Sequence, residues 1–98
     1  MIIKRLTVQS QVYDIVTKGG SLTGKRKRLY ITNTNDSLEA NLDLYLEDGS
    51  AHKYYFLNGT IIPSNATLEL EIIPFDSSVF HLRAVTASSS PAIHIIYG

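Results

Sequence analysis

From Leu38 to Glu71 the chain alternates apolar and polar side chains with a period of two. Leu42, Leu44 and Leu46 fall on one side, Asn41, Asp43, Tyr45 and Glu47 on the other, and Leu68, Leu70 and Ile72 repeat the scheme against Thr67, Glu69 and Glu71. Successive β side chains point to opposite faces of the pleat, so this pattern predicts strands with one buried face each. Turn residues cut the chain into about eight such pieces: Ile2 to Val8, Val12 to Thr17, Arg26 to Thr34, Glu39 to Glu47, His52 to Leu57, Ala66 to Ile73, Val79 to Thr86 and Ala92 to Tyr97. Leu29 and Ile31 are core candidates in the third. Asp48-Gly49 between alternating runs predicts a tight hairpin turn, and Asn58-Gly59 repeats the device before Ile61-Ile62. Pro63 offers no N–H to a ladder and marks a break. The glycine-rich segment from Gly19 to Lys25 reads as a loop. Short strands at this spacing predict an all-β fold, an antiparallel β-sandwich of jelly-roll or Ig-like type or a small barrel, in a single domain over residues 1–98.

Two segments are apolar on both faces. Tyr54, Tyr55, Phe56 and Leu57 run consecutively, and Ile93, Ile95 and Tyr97 stand against Ala92, His94 and Ile96. Such a strand is either covered within its own chain or meets another subunit. Tyr30 and Tyr45, opposite the apolar rows of their strands, extend this outer aromatic surface. Tyrosine suits an interface because it adds apolar area while its hydroxyl stays hydrogen-bonded.

Composition removes several functions. Ninety-eight residues with 44% apolar content suffice for one core, and nine basic against nine acidic residues leave no net charge. The long-range field of a general nucleic-acid or membrane-surface binder is therefore absent, and neither partner is expected. No cysteine is present, which excludes disulfides and thiolate chemistry. Charges at Lys4 and Arg5 interrupt what would be the apolar part of a signal peptide, so a soluble protein made in a cytoplasm is expected. The sequons at Asn35, Asn58 and Asn65 coincide with turns and are expected to be unmodified.

Candidate chemistry is sparse. Lys25-Arg26-Lys27-Arg28 is the one basic run, readable as a clamp for an acidic surface or as a solvated strand start. His52, His81 and His94 are far apart in sequence; His81 and His94 could approach if their strands were neighbours, without an obvious third ligand. Glu69 and Glu71 read as solubilising residues on an exposed face, and Glu47-Asp48 lacks the oxygen-rich spacing of a calcium loop. No enzyme, cofactor or metal is expected.

Four stretches carry a resemblance: Leu29-Tyr30-Ile31-Thr32-Asn33-Thr34-Asn35, Leu42-Asp43-Leu44-Tyr45-Leu46-Glu47-Asp48-Gly49, Tyr54-Tyr55-Phe56-Leu57, and Ile61-Ile62-Pro63-Ser64-Asn65-Ala66-Thr67-Leu68-Glu69-Leu70. Together they are similar to small virion proteins of tailed bacteriophages, notably marine cyanophages, and the Ser88-Ser89-Ser90-Pro91 turn with the last strand suits the same pattern. The first 28 residues lie outside the resemblance. It implies a structural component that coats or joins phage particles and transfers no catalytic residue. With the surplus aromatic surface, the expectation is a homo-oligomeric capsid decoration protein of the virion, in contact with the major capsid protein or other virion proteins. Its interface anchors would be Tyr30, Tyr45, Tyr54, Tyr55 and Tyr97, with Arg26 and Arg28 on acidic capsid surface. A neck, tail or fibre adaptor is the alternative within that class. A carbohydrate-binding module, working through a flat tyrosine platform, is the alternative from another.

Overall fold

The alternating segments form eight strands in the computed structural model, which describes residues 2–19 and 27–98, with the backbone alone at Lys27. They are β1 (Ile2–Leu6), β2 (Tyr13–Val16), β3 (Lys27–Asn33), β4 (Ala40–Glu47), β5 (Lys53–Ile62), β6 (Thr67–Ile72), β7 (His81–Val85) and β8 (Ile93–Tyr97). Two four-stranded antiparallel sheets result, the first ordered β1-β8-β3-β6 and the second β2-β7-β4-β5. The protein is an all-β antiparallel sandwich, and among the described residues there is no helix.

Pairing follows one rule: β1 with β8, β2 with β7, β3 with β6 and β4 with β5. This is one long hairpin with its apex between β4 and β5. Rolling that hairpin adds the pairs β3 with β8 and β4 with β7 and divides it into two sheets. The strand order is that of a jelly roll, which decides between the two sandwich types the sequence leaves open. It also gathers the β1–β2, β3–β4, β5–β6 and β7–β8 connections at one end of the sandwich.

The core is the layer between the sheets. Leu6, Leu29, Ile31, Ile72, Ile93 and Ile95 from the first sheet face Ile15, Leu42, Leu44, Ile62, Leu82 and Ala84 from the second, all buried. One polar side chain bridges the two sheets inside it. Asn33, at the end of β3, donates through Nδ2 to the Leu38 carbonyl at 2.9 Å and to the Ile62 carbonyl of β5 at 3.0 Å. Its Oδ1 accepts the Asn35 N–H at 3.1 Å. Among the described residues no buried side-chain nitrogen or oxygen lacks a hydrogen-bond partner.

Both Gly-containing turn signals resolve differently from expectation. The β4–β5 turn is not a two-residue Asp-Gly hairpin: Asp48 N–H donates to the His52 carbonyl at 3.1 Å across three loop residues, and the residue with positive φ (63°) is Ala51. The Asp48 carboxylate organises this loop, accepting the Ser50 N–H at 2.8 Å and the His52 N–H at 3.0 Å. Asn58-Gly59 is no turn at all, since β5 runs straight through it. Gly59, at φ 61°, sits in a bulge where the β4–β5 register shifts, and its N–H donates to Asp43 Oδ1 at 2.6 Å. A glycine in the left-handed region absorbs the extra residue of a bulge as readily as it makes a turn. The loop expected from Gly19 to Lys25 lies outside the described residues beyond Gly19.

Replacing Asn33 by Leu keeps the branched side-chain skeleton, adds bulk, and strips the Leu38 and Ile62 carbonyls of their donor. An unfavourable change of about 2–3 kcal/mol is expected from urea unfolding at neutral pH. The His52 N–H, and after it the Ser50 N–H, hold the Asp48 carboxyl pKa below its ordinary value despite partial burial. Because the folded pKa lies below the unfolded one, this stabilisation is complete above the unfolded carboxylate range and vanishes as pH falls through the folded pKa. The melting temperature of Asp48→Asn should therefore lie below that of the native chain at neutral pH and converge with it on acidification.

Candidate interaction surface

The two sheets present outer faces of opposite character, and register explains both. On the second sheet the cross-strand row is Asp14, Arg83, Tyr45 and Tyr55, drawn from β2, β7, β4 and β5. Arg83 Nε donates to Asp14 Oδ1 at 2.6 Å and Nη1 to Glu47 Oε2 at 2.8 Å. The Asp14 carboxylate is the main cause of a raised Arg83 pKa. His81 lies beside them, its Nδ1 accepting the Lys18 N–H at 3.0 Å, so that nitrogen carries no proton in this arrangement. Carboxylates and cations on this face are matched to one another.

Tyr45 lies beneath that network. Its ring is 5.4 Å from the Tyr55 ring at a 52° tilt, and Lys53 Nζ stands over it, 5.1 Å from the ring centroid. The side chain points out of the sheet yet is only 2% exposed, and burial, with Glu47 second, raises its pKa. The expectation that Tyr45 anchors a partner is therefore corrected: neighbours on its own sheet already cover it. Tyr97 is corrected for a different reason. It continues the inward row of Ile93 and Ile95, ends in the core at 4% exposure, and burial raises its pKa.

Tyr54 and Tyr55 remain half-exposed, but on opposite faces of β5, an edge strand. Tyr55 joins the outer row, whereas Tyr54 pairs with Leu46 and meets the Phe80 ring edge-on at 6.1 Å. These tyrosines do not form one flat platform. Arg26 lies outside the described residues. Arg28 is exposed on the first sheet and engaged there by the Glu69 carboxylate, then the Tyr30 hydroxyl, which together raise its pKa.

The first sheet's outer face is the less covered. Register aligns Ile3 of β1 with Ile96 of β8, Ile96 with Tyr30 of β3, and Tyr30 with Glu69 of β6. Ile3 is 61%, Ile96 38% and Tyr30 37% exposed, so a continuous apolar row crosses three neighbouring strands in solvent. Arg5, His94, Thr32 and Thr67 form the next row, and Arg28 with Glu71 lies on the other side. Of this row, sequence reasoning selected Tyr30 alone. Ile96 carried a signal, as the apolar residue on the polar side of its strand; Ile3, between Ile2 and Lys4, carried none.

A hollow of about 240 Å³ opens at the end where the β3–β4 and β7–β8 connections meet, with Leu38, Glu39, Ser89, Ser90 and Pro91 in its lining. The histidines do not converge: His52 bonds Asp48 in the β4–β5 turn, and His81 and His94 lie in different sheets. Among the described residues no group of three or more His, Asp or Glu could hold a metal ion.

No family model matches the chain, and no curated protein matches it. Among solved structures, the CBM22-1 xylan-binding domain of Paenibacillus barcinonensis Xyn10C is similar over 95% of this chain and 76% of that one, with a TM-score of 0.48 and 13% identity.

The two tyrosines of the second sheet should separate sharply on truncation. Tyr45→Ala empties a covered site and should cost about 3–5 kcal/mol. Tyr55→Ala removes one half-exposed ring and the aromatic pair, and should cost about 1 kcal/mol. Denaturant midpoints of the two variants check this.

Proposed function

We propose that this chain is a non-catalytic structural protein of a tailed-phage particle, a decoration protein that reinforces the head shell through surface contacts made in many copies. The observation that carries the reading is the in-register row Ile3, Ile96 and Tyr30, exposed to solvent on the outer face of the first sheet. Apolar side chains aligned across strands offer a partner a contiguous surface, unlike singly scattered ones. The sequence resemblance to cyanophage virion proteins supports the same class. Many modest contacts in a lattice give avidity that one such row lacks. A neck, tail or fibre adaptor uses the same surface at lower copy number.

Sugar binding through stacked tyrosines is the less supported reading. Tyr54 and Tyr55 face opposite ways, Tyr45 is covered, and Asp14 and Glu47 already bind Arg83.

Quantitative mass spectrometry of purified particles tests the proposal. Copies comparable in number to the major capsid protein are expected; a single ring's worth would move the protein to the neck or tail. Absence from particles, or a glycan-array signal that Tyr55→Ala abolishes, would overturn the virion reading.

A further inference from the structure

Asn58-Gly59 is the single asparagine-glycine pair of the chain, and it lies inside a strand rather than in a turn. Such a pair has a covalent chemistry of its own. The glycine main-chain nitrogen, once it has lost its proton to solvent, attacks Cγ of the asparagine side chain. A C–N bond forms, the Cγ–Nδ2 bond breaks, and the side-chain nitrogen leaves as ammonia with protons taken from water. Water then opens the resulting succinimide at either carbonyl, giving aspartate or isoaspartate. Solvent water is the sole co-reactant, and no electrons change hands. Glycine in second place favours the attack because it carries no side chain to hinder it. At Gly59 even an added Cβ would meet nothing within 4 Å, and Asn58 is exposed. Two features of the fold oppose the reaction. The Gly59 N–H donates to Asp43 Oδ1 at 2.6 Å, a bond that favours the protonated nitrogen, and the carboxylate charge repels the anion that proton loss would create. Ring closure also requires rotation of the Asn58 main chain, which the pairs Leu57 with Leu44 and Thr60 with Leu42 restrict on either side.

We propose that Asn58-Gly59 is a latent site of spontaneous deamidation, guarded by the Asp43 carboxylate, which reacts when β5 parts from β4. Strand β5 is the edge of its sheet and pairs with β4 alone, so its departure breaks no other pairing. Opening of such an edge costs less than unfolding the whole domain. The product is irreversible. Aspartate at position 58 adds a carboxylate next to the residue that Asp43 binds, and isoaspartate lengthens the main chain by one carbon. Both changes fall where the register already carries an extra residue, so the strand has no slack to absorb them. The site thus turns occasional opening of the edge into a permanent weakening of the β4–β5 pair. Asp43 delays that outcome through a hydrogen bond to the very nitrogen that must react. This chemistry is independent of whatever the outer faces of the sandwich bind.

Peptide mapping by mass spectrometry, over weeks at mildly alkaline pH, measures aspartate plus isoaspartate at position 58. Three chains are compared: the native protein, Asp43→Asn, which keeps an acceptor without the charge, and Asp43→Ala, which has neither. The folded native chain should react about tenfold or more slowly than the same chain in urea, where both the bond and the strand pairing are gone. Under folding conditions the rate should rise from native to Asp43→Asn to Asp43→Ala. The full step should be about tenfold or more, the order expected for a lost hydrogen bond to a charged group. Amide hydrogen exchange at Leu57 and Thr60, followed on the same samples, separates the guard from simple loosening: the rate at Asn58 should rise more than exchange does. Circular dichroism confirms folding, and Asp43→Asn alone carries the comparison if Asp43→Ala does not fold. Equal rates in folded and unfolded native chains, Asp43 variants that react no faster than native, or acceleration merely proportional to exchange would overturn the proposal.

Discussion

Everything in this molecule depends on the apolar layer between two sheets, neither of which can cover its own inward face. Leu29, Ile31, Ile93 and Ile95 on one side and Leu42, Leu44 and Leu82 on the other are buried only because the hairpin rolls. A four-stranded sheet with one apolar face needs a second layer, and with no cysteine in the chain packing must supply the stability that disulfides give many small domains. Asn33 shows how tightly the layer is specified. Its amide joins the end of β3 to a carbonyl of β5 in the other sheet, so the polar termination of one strand also fixes the relation of the two sheets.

Beyond that layer, the outer faces solve the problem of surplus aromatic and aliphatic residues in opposite ways. On the second sheet, Asp14, Arg83 and Glu47 form a linked ion-pair network, and Tyr55 and Lys53 close over Tyr45. The aromatic there is protected by its neighbours. On the first sheet, the interior strand β8 lifts Ile96 between Ile3 and Tyr30, and the row stays exposed to solvent. Placing the proposed contact on the first sheet follows from this difference, and the jelly roll keeps it away from the connections gathered at the ends.

Turn chemistry was the least transferable signal. Asn58-Gly59 and Asp48-Gly49 are equivalent turn signals with different fates. The first becomes a bulge because β4 continues opposite it and Asp43 accepts the Gly59 N–H. The second sits at the hairpin apex, yet Ala51 takes the left-handed position because the Asp48 carboxylate fixes a longer loop. A glycine's tolerance of positive φ is local, whereas the choice between turn and bulge is made by the strand across from it.

The amino-acid order by itself determined the all-β class, the positions of nearly all strands and most of the inward-facing residues, because period-two alternation is a local property of the backbone. It also determined that Tyr30 stands on an outer face. Tertiary structure alone decided which strands are neighbours, hence that the sandwich is a jelly roll, that Tyr97 ends in the core and that Tyr45 is covered while Ile3, Ile96 and Tyr30 align. Alternation tells which of two faces a side chain takes, but exposure on that face depends on the residues that hydrogen-bonded partners bring beside it from distant parts of the chain.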